Sequence, residues 1–546
     1  MRTLLRGGRV LTPDGWATDV LVEAEHIAAV GDGIEVAADH VLELRGRLVT
    51  PAFVDAHVHL AATGFACLGA DLSGTTSADE ALELIATKAA TTDLSVVLGH
   101  GWDETRWTGR GPLTREELDE AAGHRPAYVS RVDIHSAVVS TALRTAARQP
   151  LTDGVDGWSA DGPLTRDAHH AVRDAMNALL TDGDRRTAIS TALRAAARVG
   201  IGTVHEIGAP HISPSRDFDL LDQLGPQDGA ALPTVQRYWG ARDVAEARRL
   251  GCLGAAGDLC VDGAIGSRTA ALHETYADDD ASSGHLYLTA DDVASHVAAC
   301  TAQGLQAGFH VIGDRAVSQV VEGFRAAAGS LGEERVRGGG HRLEHLEMVT
   351  SSQLAELARL GVAASVQPVF DAWWGGAGGL YETRLAGRSG GMNPYRSMLE
   401  AGMVVAFGSD SPVTPMDPWL AVRAAVHHHD DAQRLDARTA VRAHSVAGWQ
   451  LARATSQPRA SDSSTPHERP LDGEVAVGAP AYLAVWDVTG TGAAAGTGAA
   501  AGTGAAGLEA LVAPGRDLPR CDLTLVAGRA AHDAHQEWPT LTGARR

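Results

Sequence analysis

Cysteine is scarce in this sequence of 546 residues, and the five present (Cys67, Cys252, Cys260, Cys300 and Cys521) form an odd set without CxxC spacing. That argues against a disulfide scaffold and against a cysteine-based zinc site, and it suits a reducing cytoplasm. Long apolar runs are missing too: no stretch reaches the roughly 18 to 20 residues that a membrane-spanning helix needs. The opening MRTLLRGGRVLTPDGW has only short apolar pieces between Arg2, Arg6 and Arg9, so it reads as a first strand rather than a secretory signal. Positive charge is also short, with Lys+Arg 46 against Asp+Glu 68 and a formal net charge of -22. So acidic a surface repels phosphate backbones and removes nucleic acid from the expected partners. A Gly-rich loop followed by lysine is absent, which speaks against phosphate handling.

What is present fits a large globular enzyme. Hydrophobic residues make up 44% and charged ones 21%, enough for a sizeable core. The length exceeds one ordinary domain but accommodates a barrel of about 250 residues with insertions and a second domain. Residues 1–50 alternate short apolar and polar runs, and 473–488 and 521–531 share that β-rich texture. Between them, apolar runs such as SVVLGHGW, GTVHEI, PTVQRYWG, QAGFHVIG, RLEHLE and VVAFGSD alternate with Ala-, Leu- and Arg-rich helical stretches. Parallel strands covered by helices follow from that alternation, without deciding whether the sheet closes. Residues 454–470 read as a polar linker, and the Gly/Ala/Thr repeat at 489–507 has no side chain able to build a core.

PAFVDAHVHL (51–60) carries the first chemical signal. Strand alternation puts Phe53, Asp55, His57 and His59 on one face, and Val54, Ala56, Val58 and Leu60 on the other. The second face suits packing against helices; the first ends in two imidazoles aimed the same way, as ligands of one metal would be. HxH alone is weak. Three later runs strengthen it: His310 in GFHVIGD, His345 in RLEHLE and Asp410 in VVAFGSDSPV each end a candidate strand, where barrel active sites gather.

With these motifs, GWDETRW (101–107), SRVDIHSAVVS (130–140), VDGAIGSRTAAL (261–272), FHVIGDRAV (309–317), EHLE (344–347) and GSDSPV (408–413), the chain resembles the amidohydrolase superfamily. Within it the likeness is to the YtcJ-like branch that includes N-substituted formamide deformylases. The resemblance implies a (β/α)₈ TIM-like barrel with a small β-sandwich formed from both chain ends. On that pattern 1–50 and 471–546 are the sandwich, and 51–453 is the barrel with an extra subdomain or lid at about 61–200. It implies a divalent metal, zinc foremost, as one or two ions held by His57, His59, His310, His345 and Asp410. A homodimer is the family's habit. Where the family often carries a bridging carbamylated lysine, this chain has Asp258; Glu206, in GTVHEI, is the other candidate bridge.

The expected chemistry is hydrolysis of a non-peptide C–N bond in a small amide, formamide or cyclic amide. Asp410 would shuttle the proton, and His345 or the metal would polarise the carbonyl. Deamination of a heterocycle is the alternative within the fold, and a metal-free binding protein the alternative of another class. Trp102, Arg131, His135 and Arg268 fall in family motifs and mix groups suited to a substrate pocket, although Trp102 also suits plain core and Arg131 a loop-holding pair with Asp103 or Asp133. Asp314 is expected to cap the helix after His310. Helical spacing would splay His427, His428 and His429 apart into a solvated patch. Cys67 and Cys260 read as buried small hydrophobes.

Overall fold

The computed structural model describes residues 1–109, 111–132, 136–210, 212–225, 230–453, 473–489 and 506–539. The expected linker at 454–470 lies outside them, as does most of the Gly/Ala/Thr repeat, whose last residues open the short helix Ala506–Glu509. The chain divides into two compact units, one of residues 1–59, 193–218 and 225–546, the other of 60–192 with 219–224. Among the described residues no helix is long and apolar enough to cross a membrane.

The first unit holds eight parallel strands: β1 (Phe53–Val58), β2 (Ile201–Gly208), β3 (Thr234–Trp239), β4 (Gly254–Ala255), β5 (Gln306–Val311), β6 (Arg342–His345), β7 (Ala363–Val366) and β8 (Val405–Phe407). They neighbour one another in chain order, the arrangement of a (β/α)₈ barrel. The sheet closes on itself. Asp410 N–H donates to His57 O at 2.7 Å, His59 N–H donates to Ser411 O at 3.0 Å, and Val58 bridges Ser411 in parallel. The apolar face of β1 behaves as alternation dictates: Ala56 clusters with Leu451, and Val54 lies against Gly448, both on the helix Val446–Arg453.

The chain ends build two further sheets. One has four strands in the order His26–Gly31, Asp19–Glu23, Arg2–Arg6, His40–Glu43. The other has six, in the order Arg529–Asp533, Arg520–Val526, Leu483–Asp487, Leu48–Pro51, Arg9–Thr12, Gly15–Ala17. Leu5, Val20, Val22 and Leu42 of the first share one buried core with Val49, Leu483, Val485 and Leu525 of the second. Pro51 ends a strand of this sandwich and Phe53 begins β1, so the two layers pass directly into the barrel.

The second unit has its own five-stranded sheet, in which Ala70–Asp71, Val97–Trp102 and Ala127–Arg131 run parallel, Ser136–Val139 pairs antiparallel with Ala127–Arg131, and Leu164–Thr165 reverses again to pair antiparallel with Ser136–Val139. Strand alternation separates two cores: Val97, Val129 and Val138 on one face, Leu98, Tyr128, Ala137 and Val139 on the other. SVVLGHGW and AYVSR thus belong to this sheet and not to the barrel.

Gly408 sits at the barrel seam, where a Cβ would lie 2.6 Å from His57 N and 2.8 Å from His57 Cβ. Gly408→Ala should therefore push β8 off β1 and lower stability by about 1–3 kcal/mol. A thermal midpoint equal to wild type would show that the seam yields freely.

Candidate metal centre

Each candidate ligand stands where a barrel strand ends. His57 is the next-to-last residue of β1 with His59 just beyond the strand, Asp258 follows β4, His310 lies near the end of β5, His345 is the last residue of β6, and Asp410 follows β8. Strand ends also explain how neighbours in sequence reach one place. Glu344 and His345 should face opposite sides of β6, but His345 has φ +69°, which turns the backbone at the strand's end. Asp410, at φ +54°, is bent the same way. Non-glycine residues with positive φ are uncommon, and they collect at functional sites.

The distances describe one buried cluster. His59 Nε2 lies 3.1 Å from Asp410 Oδ1 and 3.3 Å from Asp258 Oδ2. His57 Nε2 is 3.4 Å from Asp410 Oδ1 and 3.5 Å from Asp258 Oδ1, and His345 Nε2 is 4.0 Å from Asp258 Oδ1. Two overlapping sets result, His57–His59–Asp258 and His57–His345–Asp410, each with its ligand atoms within 4.8 Å of one another. His310 packs against His345, with ring centroids 4.5 Å apart, but belongs to neither set.

Three of the imidazoles are tied at Nδ1. His57 Nδ1 lies 2.9 Å from Glu344 Oε2, His59 Nδ1 2.8 Å from Ile207 O, and His345 Nδ1 2.7 Å from Gln367 Oε1. With these oxygens accepting, each Nδ1 carries a proton, and Nε2 is the atom that each ring turns to the centre. This is the arrangement that orients metal-binding histidines. His57 Nε2 and Asp258 Oδ1 are buried without a hydrogen-bond partner. Those orphaned atoms, in an all-nitrogen-and-oxygen donor set, fit a divalent cation.

The electrostatics agree. Burial alone would push His57 down, yet Asp258 and Asp410 outweigh it and hold the ring up at about 10; His59 is raised for the same reason. Burial would raise both carboxylates, but the imidazoles beside them keep Asp258 and Asp410 below the usual range. His345 is pushed down to about 4 by burial and by His310 and stays neutral. Two buried carboxylates thus demand positive charge, which either protons on the histidines or a cation can supply.

Glu206 is not part of this cluster. It follows His205, which faces the barrel interior beside Arg342, so alternation along β2 turns Glu206 outward, among the charges beside the Cys252 thiol. Trp102 is core of the second unit: it is buried, packs on Trp107 and donates Nε1–H to Val129 O at 3.1 Å. Arg131 is held by Asp103 at 3.2 Å and Glu104 at 2.9 Å. Arg268 spends two N–H groups on Asp278, at 3.1 and 2.7 Å, clamping its own loop. His135 lies outside the described residues.

Three smaller expectations change. Asp314 makes no side-chain cap; its Oδ1 accepts from His273 N–H at 2.9 Å. The helix Pro418–Val426 stops before His427, so helical spacing does not govern the histidine run: His428 is buried, and His428 and His429 both approach Asp371, at 3.5 and 3.1 Å. Cys67 is exposed and Cys260 half-buried.

Sequence reading passed over Glu344 and Arg342. The signal was there: both sit two apart on one face of a strand short enough to be wholly buried, and opposite charges on such a face need a reason. Gln367 carries no comparable mark.

Known proteins resemble this chain in sequence and fold. The profile of the amidohydrolase family matches residues 40–532. The putative amidohydrolase YtcJ of Bacillus subtilis (strain 168) is 25% identical over 434 residues, 70% of this chain and 74% of that protein. An N-substituted formamide deformylase of Arthrobacter pascens is 25% identical over 446 residues, 74% and 80% of the two chains. The crystal structure of an uncharacterized metal-dependent hydrolase from Pyrococcus furiosus superposes with a TM-score of 0.71 at 24% identity, over 89% of this chain and 98% of that one. With the profile spanning the barrel and much of the sandwich, the chain belongs to the amidohydrolase family.

Proposed function

We propose that the chain is a metal-dependent hydrolase of non-peptide C–N bonds in small amides, formamides or cyclic amides. The observation that carries this reading is the convergence of His57, His59, His345, Asp258 and Asp410, with three Nδ1 atoms tied back and the ligand atoms left facing one another. The likeness to an N-substituted formamide deformylase supports the amide class. A divalent cation, zinc foremost, supplies Lewis acidity there: it makes water a usable nucleophile at neutral pH and polarises a carbonyl.

His57, His59, Asp258 and His345 are the residues that would hold the ion. The tautomer selected by Gln367 suits His345 to ligation more than to proton donation. Asp410 carries the proton. Its carboxylate is charged, and it can take a proton from the attacking water and hand it to the leaving nitrogen, which departs badly as an anion. Both candidate ligand sets use His57, and one Nε2 lone pair cannot serve two ions, so we favour a single ion. Asp258 stands where the resemblance places a bridging lysine, and the chain's single lysine is Lys88, on a helix of the second unit.

Elemental analysis of protein purified without a histidine tag should give about one zinc or similar ion per chain; close to two would overturn the single-ion reading. Protein without metal, inactive on a panel of amides after zinc or manganese is added, would overturn the hydrolase reading itself. On that panel the active protein should release formate or another carboxylate, whereas ammonia from heterocycles would point to deamination. Asp410→Asn should lower kcat by about 10²- to 10⁴-fold with the fold retained, and turnover near wild type would remove Asp410 from the role.

A further inference from the structure

The interior of β6 holds charges that the proposed chemistry does not use. Arg342 and Glu344 are both fully buried. Arg342 Nε donates to Glu344 Oε1 at 2.6 Å and Nη2 to Oε2 at 2.8 Å, the two-pronged geometry in which a guanidinium fixes the plane of a carboxylate. Arg342 is fixed in turn: Nη2 also donates to Ala56 O of β1 at 2.8 Å, Nη1 lies 3.1 Å from His205 Nδ1 of β2, and the guanidinium stacks 4.3 Å from the centroid of Tyr238 on β3. Four strands therefore hold one carboxylate, whose Oε2 faces His57 Nδ1 at 2.9 Å.

We propose that Glu344, oriented by Arg342, is a positioning residue that locks His57 with its proton on Nδ1 and aims the Nε2 lone pair at the centre. His57 is the ligand common to both candidate sets, so its orientation governs each of them. His59 and His345 lean instead on a main-chain carbonyl and a side-chain amide, neutral acceptors that hold less firmly than a carboxylate. The layer below the ligands thus fixes the central one of them from inside the barrel. This rests on the reading that the centre binds a divalent cation.

Cobalt(II) binding by the full-length protein tests it, with the dissociation constant read by chelator competition and the ligand field by visible absorption. Glu344→Gln puts an amide where Arg342 and His57 both require an acceptor. Glu344→Asp keeps the charge for Arg342 but withdraws the oxygen from His57, so it preserves the fold should the first variant lose it. Each folded variant should bind cobalt about 10- to 100-fold more weakly than wild type, with a shifted absorption spectrum. Metal-free thermal midpoints read the fold separately. A folded variant with wild-type affinity and spectrum would overturn the positioning role and leave the metal reading intact. Wild-type protein that binds no cobalt would overturn both.

Discussion

The seam between the first and last barrel strands is the contact on which the centre depends. Two main-chain hydrogen bonds join His57 and His59 to the Asp410–Ser411 turn, and Asp55 Oδ1 accepts from both His57 N–H at 3.2 Å and Ser409 N–H at 2.9 Å. An open sheet of the same eight strands would leave the histidines at one edge and Asp410 at the other, several strand widths of about 4.8 Å apart. Closure converts residues separated by some 350 positions in sequence into neighbours about 3 Å apart. The tight approach at Gly408 belongs to the same requirement, because the two backbones meet with no room for a side chain.

Beneath the ligands the barrel departs from the apolar filling usual for this architecture. A buried ion pair is weak evidence of a stabilising device: apolar residues of similar size often serve stability as well or better, while losing one partner alone costs about 3–5 kcal/mol. The Arg342–Glu344 pair is therefore understood through what it touches. It meets the centre at His57 and the fold at Ala56, His205 and Tyr238, which makes the floor of the site and the core of the barrel the same layer.

Most of the architecture could be read from the sequence, since period-two apolar runs and strand-end polar residues are local signals. The two faces of β1 followed from alternation, and His57, His59, His345 and Asp410 meet in space. Short elements escaped. β4 is two residues long, Gly254–Ala255, and has no periodicity to detect. Glu206 was misread because a strand-end carboxylate has the right chemistry on either face, and only register against His205 tells which face it occupies. The histidine run differs for another reason: the helix ends at Val426, before the run begins, and Asp371, 57 to 58 positions away, gathers His428 and His429. Tertiary partners of that kind leave no local trace.

The second unit leaves the chain after His59 and hands it back before β2, between strands that are neighbours in the barrel. The ends of its main segment, 60–192, lie next to paired barrel strands, and the entropic cost of closing such a connection grows only with the logarithm of its length. A whole folded unit can be gained, enlarged or exchanged at this junction while the seam, the ligands and the layer beneath them keep their places. Chain-closure entropy therefore sets only a weak limit on the size of the insert.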